Sequence, residues 1–342
     1  MRMRGGKDIS VGVMDALSAG FALVARRPWL MVIPALVDLF LWLGARLSVE
    51  GLVREALATA ASLSETGNAS LVPEEAKTVL LQWAAQSNLF VLLRPPGFVE
   101  PGASAGWLVP AASQVVPPAM PPGFHPPVLP IANLGTALAA GAGVFLAGLF
   151  LAALYLCWVA QALLQDEGAP AWPPFQHVGR TWARFIAYTL ALGLALGMLM
   201  LPLLALAALA SGQALLVWMV NLSSLAFLWC WIWVVLYLFF TTDAMVLNRV
   251  GVWGGVWTSV QVVARNFWPT VGLFALSHVI AAGTTVIWQR IQGTLWGMPL
   301  GILGGAFIQT GLVAASLIFF RSRYARLAGT PVAGARRTGA GA

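Results

Sequence analysis

Apolar residues in this chain gather into long runs and do not alternate with polar ones. A helix rises 1.5 Å per residue, so about 20 mostly apolar residues cross a bilayer core. Six stretches meet that length or approach it: 29–46, 131–165, 184–209, 214–240, 269–289 and 295–320. Unbroken runs favour helices over a β-barrel, whose strands would alternate. The pattern predicts an all-α polytopic transmembrane helical bundle of six crossings. The second stretch is too long for one straight passage and is expected to tilt or project beyond the membrane. Residues 1–28 form a terminal segment with an interfacial helix, 166–183 a linker, 241–268 a second interfacial helix and 321–342 a basic tail.

Residues 47–130 separate the first two crossings as one long extracytoplasmic loop. Its first half reads as two short helices. Pro73-Glu74-Glu75 is a good helix start, and Val79, Leu80 and Trp83 give that helix an apolar stripe. Eleven of the chain's 21 prolines lie between Pro95 and Pro130. Extended segments are expected there. Apolar residues such as Phe98, Trp107 and Phe124 suggest a strap lying on the outer helix ends.

A short pattern recurs before three crossings. Phe21 to Arg26 is followed by Trp29, Phe175 to Arg180 by Trp182, and Val260 to Arg265 by Trp268. The first and third copies extend further, with Gly12-Val13 matching Gly251-Val252. Trp253, Val256, Trp257, Val260, Val263 and Ala264 make one apolar helical face. Such a helix lies in the headgroup plane, with Arg toward lipid phosphates and Trp at the start of the next crossing. Arg26, Trp29, Arg180, Trp182, Arg265 and Trp268 are therefore the expected interfacial anchors. The second copy carries Pro170, Pro173 and Pro174 and is expected to be only a turn or two. The pattern suggests three consecutive units of surface helix, crossing, outer connection and return.

Composition narrows the function classes. The chain is 59% hydrophobic and 9% charged, with a mean hydropathy of +0.82. Soluble domains are about 25% charged, so an ordinary soluble enzyme, a disordered chain and a nucleic-acid module are excluded. Fourteen basic residues fall on the side of both termini, against five (Arg46, Arg54, Lys77, Arg94 and Arg290) on the other. The positive-inside rule places both termini in the cytoplasm. The first crossing is expected to act as an uncleaved targeting signal.

Chemistry-bearing residues are few. Asp38 falls near the middle of the first crossing, where a charge costs about 2.5–3.5 kcal/mol on insertion scales. His278 sits at nearly the matching depth of the fifth crossing. The two are a candidate intramembrane polar pair: a structural contact, or a step on a proton or solute pathway. Asn221, Gln309 and Gln161 are expected to hydrogen-bond between helices. Gly193-x3-Gly197 and Gly301-x3-Gly305 permit close helix approach. Two Cys and three scattered His give no metal set, and no nucleophile elbow, P-loop or dinucleotide fingerprint is present. No cofactor is expected.

Ala244-Met245-Val246-Leu247-Asn248, Gly251, Ser259 and Val263-Ala264-Arg265-Asn266-Phe267-Trp268 resemble a family of bacterial polytopic membrane domains. That family includes the membrane domain beside glycerophosphodiester phosphodiesterase. The resemblance spans about residues 243–276, and Asn248 stands where the family usually has an acid. It implies a membrane module in a bacterial inner membrane, without chemistry of its own. The expected function is a non-enzymatic scaffold or accessory membrane component. Its expected partners are membrane lipids and a further membrane protein, not nucleic acid. The alternative is a transporter or channel-like protein with a polar site at the bilayer midplane.

Overall fold

The computed structural model describes residues 11–65, 74–95, 123–124, 126–131, 133–166, 174–209, 214–291, 294 and 296–328. These residues are almost wholly helical. Helix α1 spans Val13–Arg26, α2 Val32–Leu43, α3 Glu50–Glu65, α4 Glu74–Gln86, α5 Leu134–Asp166 and α6 Pro174–Leu209. Then come α7 Ala214–Tyr237, α8 Thr241–Leu247, α9 Val252–Arg265, α10 Phe267–Ile291 and α11 Gly297–Leu327. Five helical spans are long and apolar enough to cross a membrane. Helix α1 and residues 28–43 make a sixth only as a pair bent by 97°.

The bend falls between α1 and the stretch expected to cross from Trp29. Arg27 leaves helical geometry at φ −133°, ψ 66°. Pro28 then opens a 3-10 turn, Pro28–Met31, which leads into α2. The outer loop's two ends pair as short parallel strands, β1 (Arg46–Ser48) with β2 (Val128–Pro130). The core of the proline-rich strap, 96–122, lies outside the described residues.

Helices α1 and α9 share one design. Each has 14 residues, begins after an extended glycine (Gly12 or Gly251) and ends in arginine. In each, the next residue's N–H donates to two carbonyls at once: Arg27 to Leu23 and Val24, Asn266 to Val262 and Val263. The buried positions also coincide. Ala16, Gly20, Leu23 and Val24 match Gly255, Ser259, Val262 and Val263 in register. The second copy differs. It lies inside α6, because Pro174 occupies the first helical position, where proline costs no hydrogen bond.

The shared buried face meets protein in both cases, which corrects the expectation that α1 lies with its apolar face on lipid. Helix α1 runs along α11. A Cβ on Gly20 would lie 2.5 Å from the Gly311 carbonyl and 2.6 Å from the Ala315 nitrogen, so the two backbones touch. Helix α9 seats on the α7–α8 corner. There Ser259 Oγ donates to the Tyr237 carbonyl at 2.7 Å and accepts from the Phe240 N–H at 3.1 Å. That hydroxyl satisfies two backbone groups freed where α7 stops, so Ser259→Ala should cost about 2 kcal/mol. Thermal unfolding of the detergent-solubilised full chain would show it.

Buried residues concentrate at the end of the bundle that holds Arg26, Arg27 and Arg323, the basic end. One apolar cluster centres on α5 and includes Tyr155, Leu156, Phe185, Val313 and Leu317. A second joins α1, α8, α9, α10 and α11 through Leu17, Phe240, Val262, Leu273 and Phe319. The far halves of α6 and α7 are different: beyond Phe185 and before Trp231, no described side chain is buried. The sequence places the end of the last helix at Phe320, but α11 continues to Leu327. Arg321, Arg323 and Arg326 are therefore helical. Arg323 is held under Phe319, 4.9 Å from the ring centroid, and donates to the Val11 carbonyl at 3.3 Å.

Candidate functional site

The best-formed polar feature inside the apolar part of the bundle is an ion pair. Arg94 Nη1 donates to Asp38 Oδ1 at 2.7 Å. Asp38 reaches this point from α2, where the 3-10 turn has already set the helix against α5. Trp29 packs edge-on to Trp158 at 5.9 Å. Arg94 arrives from the outer loop. Asn88 folds that loop locally, its Oδ1 accepting from the Phe90 and Leu47 N–H groups at 3.1 Å each. The 3-10 segment Leu89–Leu93 then lies against α5 at Gly148. A Cβ on Gly148 would meet the Leu92 carbonyl at 2.4 Å, so a side chain there would keep the segment out. Phe90 closes edge-on against Phe40 at 5.2 Å.

Beside the pair lies a small, open cleft. Its walls are Ile33, Pro34, Val37, Leu93, Leu151, Ala152, Tyr155 and Arg94. Apart from the guanidinium and the Tyr155 hydroxyl, the lining is hydrocarbon and backbone. Tyr155 donates to Thr310 Oγ1 at 3.1 Å, and Thr310 in turn donates to the Ala306 carbonyl. The arrangement neutralises charge and holds the loop down. Among the described residues no group of three His, Cys, Asp or Glu side chains could hold a metal ion.

The expected Asp38–His278 pair does not form. His278 stacks on Phe274 with centroids 5.3 Å apart, and its Nδ1 is buried without a hydrogen-bond partner among the described residues. The physical reason is packing order. Helix α2 packs on α11, and the loop brings Arg94, a full counter-charge, to Asp38. Helix α10 packs on α9 and on α11, and no contact joins it to α2 strongly enough to bring His278 to Asp38.

The six expected anchors divide. Arg26 and Arg27 both pair with Asp166 at the end of α5, at 3.2 Å and 2.6 Å. Arg27 also donates to the Ala162 carbonyl, so the bend after α1 is pinned to α5. Trp29, Arg180 and Arg265 are exposed, and Trp268 is 78% exposed. Trp182 is not at a helix boundary. Its indole donates to the Leu146 carbonyl at 3.0 Å, about 30 Å of helix away from Asp166 along α5.

One buried acid carries no sequence signal. Asp243, near the start of α8, is fully enclosed and accepts a hydrogen bond from Ser316 of α11. Its place beside Thr241-Thr242 reads as an interfacial turn, and only the docking of α8 against α11 encloses it. Asn221 behaves in the opposite way. It was expected to bond between helices, yet it is exposed on α7 with no hydrogen-bond partner among the described residues. Compared with models of known protein families, with curated proteins and with solved structures, the chain matches none.

Proposed function

We propose that this chain is a non-enzymatic scaffold or accessory component of a bacterial inner membrane. It crosses six times with both termini cytoplasmic, and its α6–α7 arm receives another integral membrane protein. One observation carries this reading. Among the described residues the far parts of α6 and α7 have no buried side chain, and a Cβ at Gly193 or Gly197 would meet nothing within 4 Å. Glycines four apart that pack against no described residue leave a shallow face suited to close helix approach. The exposed Asn221 amide adds a polar group that lipid tails cannot satisfy. The partly buried Asp38–Arg94 pair and its apolar cleft fit an anchored loop better than a solute path.

Photo-crosslinking in native membranes tests the proposal. A crosslinking residue at Leu194 or Trp218, 63% and 73% exposed, should give a discrete protein adduct, whereas one at Leu36 should give lipid only. Lipid adducts alone from the arm would refute an accessory role there. Proton or solute flux in proteoliposomes that disappears on Asp38→Asn would establish the transporter alternative.

A further inference from the structure

We infer that the outer face of α9 is a docking surface for the interfacial layer of a phospholipid bilayer, built by Trp253 and Trp257 with Trp268 at the start of α10. The sequence groups Trp253 and Trp257 with Val263 on one apolar face. The structure separates them. Gly255, Ser259, Val262 and Val263 are buried against protein, whereas Trp253, Trp257, Gln261, Ala264 and Arg265 are exposed. The exposed residues recur at three- and four-residue spacing, so they share one side of the helix. Trp253 is 80% exposed, Trp257 58% and Trp268 78%.

Helix α1 supplies an internal control. Its buried face matches that of α9, yet in register its exposed side carries Met14, Ser18, Ala22, Ala25 and Arg26. Docking of this helix design onto protein therefore needs no aromatic at the places of Trp253 and Trp257. Two large indoles held outward on α9, and absent from the matching places on α1, serve something outside the chain.

Continuity identifies the occupant. Trp268 heads a second exposed row, Gly272, Ala275, Val279 and Val286, which runs along α10. The span Phe267–Trp288 is long and apolar enough to cross a membrane. The exposed apolar side of such a span meets lipid tails. The α9 row joins it at Trp268, so the two make one surface that leaves the tails and enters the headgroup layer. The chemistry agrees. Tryptophan combines a large apolar ring with one N–H donor, which suits the boundary between tails and headgroups. No Asp or Glu follows Asp243 in the chain, so no acid on this surface repels lipid phosphate, and Arg265 is the one charge on α9. The surface holds the bilayer by aromatic insertion and not by lipid charge. It stands whether or not the α6–α7 arm receives a partner.

Spin labelling of the full chain in phosphatidylcholine vesicles tests the surface. Cys230→Ser removes the exposed native thiol, Cys157 being buried, and Gln261→Cys puts a nitroxide on the α9 row. The label should be open to oxygen, which concentrates in lipid, and shielded from a water-soluble nickel chelate. Trp253→Ser/Trp257→Ser should lose most of that shielding, because attachment scales with the apolar area inserted. Arg265→Gln should keep it. Full access of the chelate to the label beside both tryptophans would place the row in water and overturn the proposal, as would unchanged shielding in the double Ser variant. Shielding from oxygen and chelate alike would show that a protein, a second copy or another, covers the row, and would overturn the lipid assignment. Shielding that appears only when phosphatidylglycerol is added would overturn aromatic insertion in favour of charge. The label on the chain with both tryptophans gives three of these readings, so the test survives a double variant that fails to fold.

Discussion

Gly20→Ala should destabilise the chain by about 3 kcal/mol, the upper part of the usual range for overpacking. The added methyl would sit 2.5 Å from the Gly311 oxygen and 2.6 Å from the Ala315 nitrogen. Both are backbone atoms of α11, so neither can rotate away and one helix must shift. Gly20→Leu should prevent α1 from docking at all. Gly311→Ala makes an instructive contrast. Its methyl would meet the Phe21 ring at 2.4 Å, and a ring can turn, so a loss of about 1 kcal/mol is expected. Gly143→Ala on α5 meets nothing within 4 Å and should gain about 0.5–1 kcal/mol from helix propensity. Thermal unfolding of the four variants, with limited proteolysis at Arg26 and Arg27 reporting on α1, checks the order. A Gly20→Ala protein as stable as wild type would mean that α1 does not lie against α11.

The second large effect concerns the latch. Arg94→Leu removes the counter-charge of the partly buried Asp38 carboxylate and should cost about 3 kcal/mol, the low end of the penalty for removing one partner of a buried pair. Asp38→Leu should cost a similar amount by taking the carboxylate from Arg94. The double variant Asp38→Leu/Arg94→Leu should return to within about 1 kcal/mol of wild type, because both charges are gone and two apolar side chains fill the gap. His278→Leu combined with Asp38→Leu should show plain additivity, since Asp38 pairs with Arg94 and His278 stacks on Phe274. A double-mutant cycle in one detergent measures both couplings. Additive losses for Asp38 and Arg94 would remove the latch from the account.

Local order was legible in the sequence, and contact between distant segments was not. The Gly-Val start and Arg-Trp finish shared by α1 and α9 mark two helices of equal length, and apolar periodicity identifies the face each buries. Periodicity says nothing about what that face meets. For α1 the answer is a helix almost 300 residues further on, through a glycine pair that composition cannot single out among 35 glycines. Asp38 was conspicuous because a lone charge stands out in an apolar run. Its partner was not, because Arg94 belongs to a loop that reads as lying outside the membrane. The pairing with His278 rests on matching depth along two repeat copies, and repeat register does not fix which helices touch. Arg323 was placed in a tail for a similar reason: only its stacking on Phe319 and bond to Val11 show α11 continuing past the last apolar run.

The contact of α1 with α11 also sets an order of events during synthesis. Gly20 leaves the ribosome about 290 residues before Gly311, which at 5–20 residues per second is roughly 15–60 s. For that interval the newborn first helix has an oily side and no permanent neighbour. A temporary seat at the lipid surface, or in the insertion machinery, must hold it until the closing helix is threaded. Shortening that wait by moving the first helix to the far terminus, so that it is made just after its mate, should raise the yield of properly assembled protein.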